Sequence, residues 1–131
     1  MDCQNGRQRK IVRPMTIYKS YTVVRVPFPF TDKEAAKMRP ALVLSNEEYA
    51  KKTEHYILAM ITTAKHSAWY SDIRISNHQS VGLPVPSVIR WKLFSLDARL
   101  VMGEIGQLDE ETCHVVANNH PFSLTAHATL L

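Results

Sequence analysis

No apolar run in this 131-residue chain approaches the roughly eighteen residues a bilayer-spanning helix needs, and the opening MDCQNGRQRKIVRP lacks the apolar centre of a secretion signal. A cytoplasmic protein without a membrane partner is expected. Cysteine is as scarce: Cys3 and Cys113 stand far apart with no CxxC spacing, which speaks against a disulfide framework or a zinc knuckle and leaves two free thiols. His114, His120 and His127 have no partner set at ligand spacing, so neither a metal site nor another cofactor is expected. Internal repeats, low-complexity segments and the strand–helix alternation of a βαβ fold are also missing. At this length one compact domain remains.

Basic charge is present but uneven. Residues 1–14 carry Arg7, Arg9, Lys10 and Arg13 against Asp2. From Met15 to Arg99 twelve Lys and Arg stand against seven Asp and Glu, and the remainder holds Glu104, Asp109, Glu110 and Glu111 with no basic residue. A basic middle and an acidic end are compatible with one anion-facing surface, although a mixed, solvated surface is the commoner source of such a distribution. The first fourteen residues are polar and aperiodic, so a disordered basic tail is expected there, with residues 15–131 as the domain and Met15 as a candidate start.

Short alternating runs dominate the rest. Residues 22–26 predict a strand, stopped by Pro27 and Pro29 with Phe28 and Phe30 closing the core; residues 31–38 read as a loop, residues 41–45 as a second strand and 46–52 as one or two helical turns. Residues 55–62, the most apolar run, predict a central strand. Residues 71–75 alternate again, GLPVP at 82–86 breaks the chain, and strands are expected at 88–92, at 94–96 and around 100–102. Asp109 as N-cap, Glu110 and Glu111 in the first turn and Pro121 beyond the stop predict one C-terminal helix. Together these predict a mainly β protein, a small, strongly curved antiparallel barrel with a late helix.

The runs VPFPFTD, Arg39-Pro40 with ALVLSN, Ile61-Thr62-Thr63, and Gly82-Leu83-Pro84 through PSVIRWKLFSLD resemble, in order and spacing, the PemK/MazF-like toxin family. The trailing GEIGQL is similar to that family's approach to its last helix. The likeness runs from about Tyr18 to about His114. It implies an SH3-like barrel with a C-terminal α-helix, usually paired as a homodimer. It also implies a type II toxin–antitoxin function: a sequence-selective, metal-independent endoribonuclease acting on single-stranded RNA, restrained by a cognate protein antitoxin, with operator DNA as a possible target of the toxin–antitoxin complex. Where relatives usually carry Gly-Asp before the first strand, this chain has Ser20-Tyr21, and the loop that often carries glycine reads DKEAAKM.

Metal-free RNA cleavage uses the substrate's own 2′-hydroxyl, so the protein must supply charge stabilisation and proton transfer. Arg39 suits the first task, because a guanidinium can donate two hydrogen bonds to a phosphate and stays protonated at neutral pH. The resemblance makes Arg39 catalytic and matches Thr62 to the family's active-site threonine or serine, with Thr63 beside it. The base is open between Glu34, in the loop before Arg39, and His66, four residues after Thr62. Lys33, Lys37, Lys65 and Trp69, with Thr63, are the expected RNA contacts. Trp91 reads as a packing residue, and Asp72, Ser87 and Asp97 read as loop anchors. A different class on the same barrel is a non-enzymatic toxin that poisons gyrase by protein contact, and a third is a catalytically degenerate relative binding antitoxin and DNA.

Overall fold

The computed structural model describes residues 16–28, 37–65 and 68–122. Along the chain these form β1 (Thr22–Pro27), β2 (Met38–Val43), α1 (Glu47–Thr53), β3 (His55–Thr63), β4 (Ile73–Arg74), α2 (His78–Val81), β5 (Ser87–Asp97), a 3-10 turn (Ala98–Leu100), β6 (Gly103–Gln107) and α3 (Glu110–Asn119). All six strands join one antiparallel sheet in the order β4-β5-β3-β2-β1-β6. Among the described residues β4 and β6 do not pair with each other, so the sheet is a curled half-barrel, consistent with the expected SH3-like architecture. The apolar run at β3 takes the central place expected of it.

Strict alternation gives the sheet two buried faces. On one, Val23, Leu42, Ala59, Ile61, Ile73, Ile89 and Trp91 pack beneath α2 and α3 through Val81 and Val116. On the other, Val24, Val26, Ala41, Val43, Tyr56, Leu58 and Leu96 pack against Ala50 of α1 and Ala98. Phe28, 5% exposed, closes the second face with its ring edge-on to Phe94 at 5.9 Å. Phe30 and most of the 31–38 loop lie outside the described residues.

Several expected boundaries move. Arg39 and Pro40 fall within β2 rather than before it; Pro40 has no N–H to give, and the ladder to β3 begins only at Ala41. The two strands expected at 88–92 and 94–96 are one, β5, because a bulge keeps the ladder going. Ala59 faces Leu93 while the next residue, Met60, faces Arg90, leaving Trp91 and Lys92 as the extra pair. Trp91 packs inward, and its ring N–H donates to the Ser71 carbonyl at 2.8 Å. Residues 100–102 form no strand: Asp97 caps the 3-10 turn, and the last strand is β6. The strand expected at 71–75 shrinks to β4, and the short helix α2, capped by Asn77 and ended by Gly82 at φ 99°, was not anticipated. The C-terminal helix is where it was expected, with Asp109 accepting the Thr112 N–H at 3.0 Å. Among the described residues no helix is long and apolar enough to cross a membrane.

Candidate functional site

The apolar cluster beneath α1 reaches Val26 on β1, but on β2 and β3 it stops at Ala41 and Leu58, and arginine and threonine appear beyond it on the same face. Ala41 stands opposite Met60 in the β2–β3 ladder. The β2–β3 pairing stops there; Arg39 and Thr62 each lie two residues beyond it, on the sheet face that Ala41 and Met60 share. Thr62 faces Val88 of β5, and Val88 faces Arg74 of β4. One row across β3, β5 and β4 thus reads Thr62, Val88, Arg74, with Arg39 on the same face of β2.

Arg39 is held rather than free. Its Cζ lies 5.8 Å from the centre of the Phe28 ring, so the cation rests against an aromatic side chain that Phe94 fixes in turn. Its Nε is buried and has no hydrogen-bond partner among the described residues. An unmatched N–H on a permanently charged, positioned guanidinium leaves hydrogen-bonding capacity unused.

Arg90, one row away opposite Met60, is already satisfied. Its Nη2 donates to Asp72 Oδ2 at 2.8 Å and its Nε to Oδ1 at 3.2 Å, with side chains only 11% and 16% exposed. The hydrogen bonds from Arg90 to Asp72 raise the arginine's pKa above its ordinary value, against the opposing effect of burial. Asp72 is also the loop anchor it was expected to be: Oδ2 accepts the Trp69 N–H at 3.0 Å, and its own N–H donates to the Trp69 carbonyl at 3.1 Å. Trp69 itself is exposed, with Lys92 Nζ 5.6 Å from its ring centre. Ser87 and Asp97 anchor as well; Ser87 Oγ donates to the Val85 carbonyl at 2.8 Å, and Asp97 accepts the Arg99 N–H at 2.8 Å and its guanidinium at 2.7 Å. That guanidinium holds the Asp97 carboxyl well below the usual carboxylate range.

Of the remaining expected RNA contacts, Lys37 is exposed just before β2, Thr63 ends β3 half-buried, and Lys65 is exposed in the turn that follows. Thr63 and Lys65, with Ala64, Arg74, Val85 and Pro86, line a pocket of about 470 Å³. Glu34, Lys33 and His66 lie outside the described residues, so both candidate bases do. A hollow of about 610 Å³ bounded by Ser20, Leu44, Asn46 and Tyr49 lies at the far end of β2 from Arg39 and shares no residue with the row. Among the described residues no three His, Cys, Asp or Glu side chains gather as metal ligands would.

Arg74 and Arg90 were missed as members of this face. Alternation in SDIRI had already set Arg74 out of phase with Ile73 and Ile75; what the sequence lacked was the strand it pairs with.

A curled antiparallel sheet, closed on one face by a C-terminal helix and carrying arginines and a threonine on the other, defines a small β-barrel protein with a polar, arginine-bearing surface. The chain belongs to the family of PemK-like, MazF-like toxins of type II toxin–antitoxin systems, whose family model matches residues 19–119. No curated protein matches the chain by sequence. Among solved structures, MazF from Deinococcus radiodurans superposes with a TM-score of 0.62 at 21% identity, covering 79% of this chain and 93% of its own. The MazE–MazF complex from the same organism gives 0.60 at 19% identity, with 79% and 91% covered. An endoribonuclease in complex with its cognate antitoxin from a mycobacterial species gives 0.58 at 16% identity, with 83% and 100% covered. At these identities the superpositions speak for the fold.

Proposed function

We propose that this protein is the toxin of a type II pair and cuts single-stranded RNA, such as mRNA, without a metal, with Arg39 and Thr62 at the scissile phosphate. The observation that carries this reading is the unmatched, buried Nε of Arg39 on the same sheet face as the Thr62 hydroxyl. Family membership and the endoribonuclease among the similar structures support it.

In the proposed reaction a base takes the proton of the ribose 2′-hydroxyl, and the oxygen attacks phosphorus in line. The bond to the 5′-oxygen breaks, that oxygen is protonated, and the products are a 2′,3′-cyclic phosphate and a 5′-hydroxyl. Charge on the phosphoryl oxygens rises toward the transition state. A guanidinium already positioned against Phe28 stabilises that charge with little reorganisation. Thr62 holds a second phosphoryl oxygen or orients the nucleophile. Glu34 and His66 remain the two candidate bases. The antitoxin complexes among the similar structures support a protein antitoxin as partner; homodimerisation and operator binding rest on the family alone.

The test is incubation of the purified protein with single-stranded RNA in EDTA. Fragments ending in 2′,3′-cyclic phosphate are expected, and Arg39→Ala should slow cutting by about 10²- to 10³-fold with an unchanged circular dichroism spectrum. Intact RNA under these conditions, together with gyrase inhibition, would favour the non-enzymatic toxin instead.

A further inference from the structure

Arg74 gives the polar face a guanidinium that forms no ion pair among the described residues and that the proposed cleavage step leaves unused. We propose that Arg74 and Lys65 bind the phosphate of a nucleotide flanking the scissile one, and that its base lies on an apolar floor formed by Val85 and Pro86. The proposal rests on the endoribonuclease reading and extends it to a substrate-binding subsite.

Register supplies the first argument. Thr62, Val88 and Arg74 occupy facing positions on three consecutive strands. Strands lie about 4.8 Å apart, so the Arg74 backbone stands about 10 Å from that of Thr62 on the same face, within reach of an adjoining nucleotide rather than the one being cut.

The cavity supplies the second. The pocket of about 470 Å³ has Lys65 and Arg74 as its charged lining and Ala64, Val85 and Pro86 as its apolar lining, with Thr63, the neighbour of Thr62, at its edge. Val85 is 41% exposed, an apolar side chain left open where the pocket needs a floor. The walls are tied down: the Ala64 N–H donates to the Pro86 carbonyl at 2.9 Å, the Ile75 N–H to the Ser87 carbonyl at 3.0 Å, and Ser87 Oγ to the Val85 carbonyl at 2.8 Å. A cationic rim over an apolar floor matches the two halves of a nucleotide, an anionic phosphate and a base whose flat face packs without regard to sequence.

Charge accounting supplies the third. Arg90 is consumed by Asp72, whereas neither Arg74 nor Lys65 forms an ion pair among the described residues, and both are exposed. These two cations are therefore the ones on this side of Thr62 available to an incoming phosphate.

The experiment is a salt titration of binding to an uncleavable 2′-O-methyl single-stranded RNA of mixed sequence, with the full chain as wild type, Arg74→Gln and Arg74→Lys. Unmodified RNA is run beside it for cleavage by the wild type. Arg74→Gln should bind about tenfold more weakly and lose about 0.7 from the slope of log affinity against log salt, the share of one single-strand phosphate contact. Arg74→Lys should recover most of that slope. The melting temperature should not move in either variant, because Arg74 is exposed. Equal affinity and slope in Arg74→Gln, with the wild type still cutting RNA, would overturn the subsite and leave the nuclease reading intact. A wild type that neither binds nor cuts RNA would overturn both.

Discussion

A single carboxylate, Asp72, sets the local geometry on the β4 side of the polar face: it neutralises Arg90 and, through its backbone and side chain, closes the turn at Trp69. Asp72→Asn keeps the size of the side chain and removes the charge. It should destabilise the fold by about 2 to 3 kcal/mol in urea denaturation, since a largely buried guanidinium loses its counter-ion; a loss under about 0.5 kcal/mol would show that the pair is solvated. Tyr56 offers a second test. It is fully buried and its hydroxyl accepts the Tyr18 N–H at 2.9 Å. Burial pushes its pKa up, so above about pH 10 the unfolded chain releases a proton that the folded protein keeps. Stability should therefore fall as pH rises past about 10, and the slope of melting temperature against pH in that range should be shallower in Tyr56→Phe. Identical slopes would contradict the assignment. At this scale the sequence was most legible where information is local. Asp72 could be read as an anchor, whereas Arg39 and Thr62 were singled out by the family resemblance, since neither RP nor TT is distinctive alone. Arg74 as a face residue and Arg90 as its neutralised neighbour could not be read, because both roles come from register between β4 and β5, residues about fifteen positions apart in sequence.

At the scale of elements, the close approach of α2 to β6 decides a position that sequence reading passed over. A methyl group on Gly106 would stand 2.0 Å from the Val81 carbonyl oxygen, a backbone atom that cannot swing aside. Gly106→Ala should cost about 3 kcal/mol or more, read as a lowered midpoint in chemical denaturation; an unchanged midpoint would mean that α2 is not docked on β6. Strands β1 and β3 and helix α3 were legible because each carries its own signal: period-two alternation, a long apolar run, and an Asp cap followed by two glutamates. The failures share a cause. The continuity of β5 depends on a bulge that only its partner β3 defines, so Phe94 read as a fresh start. β6, with two glycines in GEIGQ, has weak intrinsic strand propensity and exists because β1 and α2 hold it. α2 is too short to show a period.

For the molecule as a whole, one sheet does two jobs with alternate residues of the same strands. β3 buries Ala59 and Ile61 under α2 and α3 while Met60 and Thr62 alternate onto the opposite face. α1 covers only the Val43–Tyr56 end of that face, and Arg39 and Thr62 lie at the other. This division explains how so small a core can present a rigid polar surface: Arg39 is held against Val26 of β1 and Thr62 against Val88 of β5, so both stand on strands rather than on a loop. The central claim is that Arg39 and Thr62 act on the same phosphate. A double-mutant cycle on single-turnover RNA cleavage, with Arg39→Ala, Thr62→Ala and the pair combined, tests it most directly. If both side chains serve one phosphate, the double variant should be little slower than the worse single variant. Losses that multiply in full would show that the two residues work independently and would contradict the shared site.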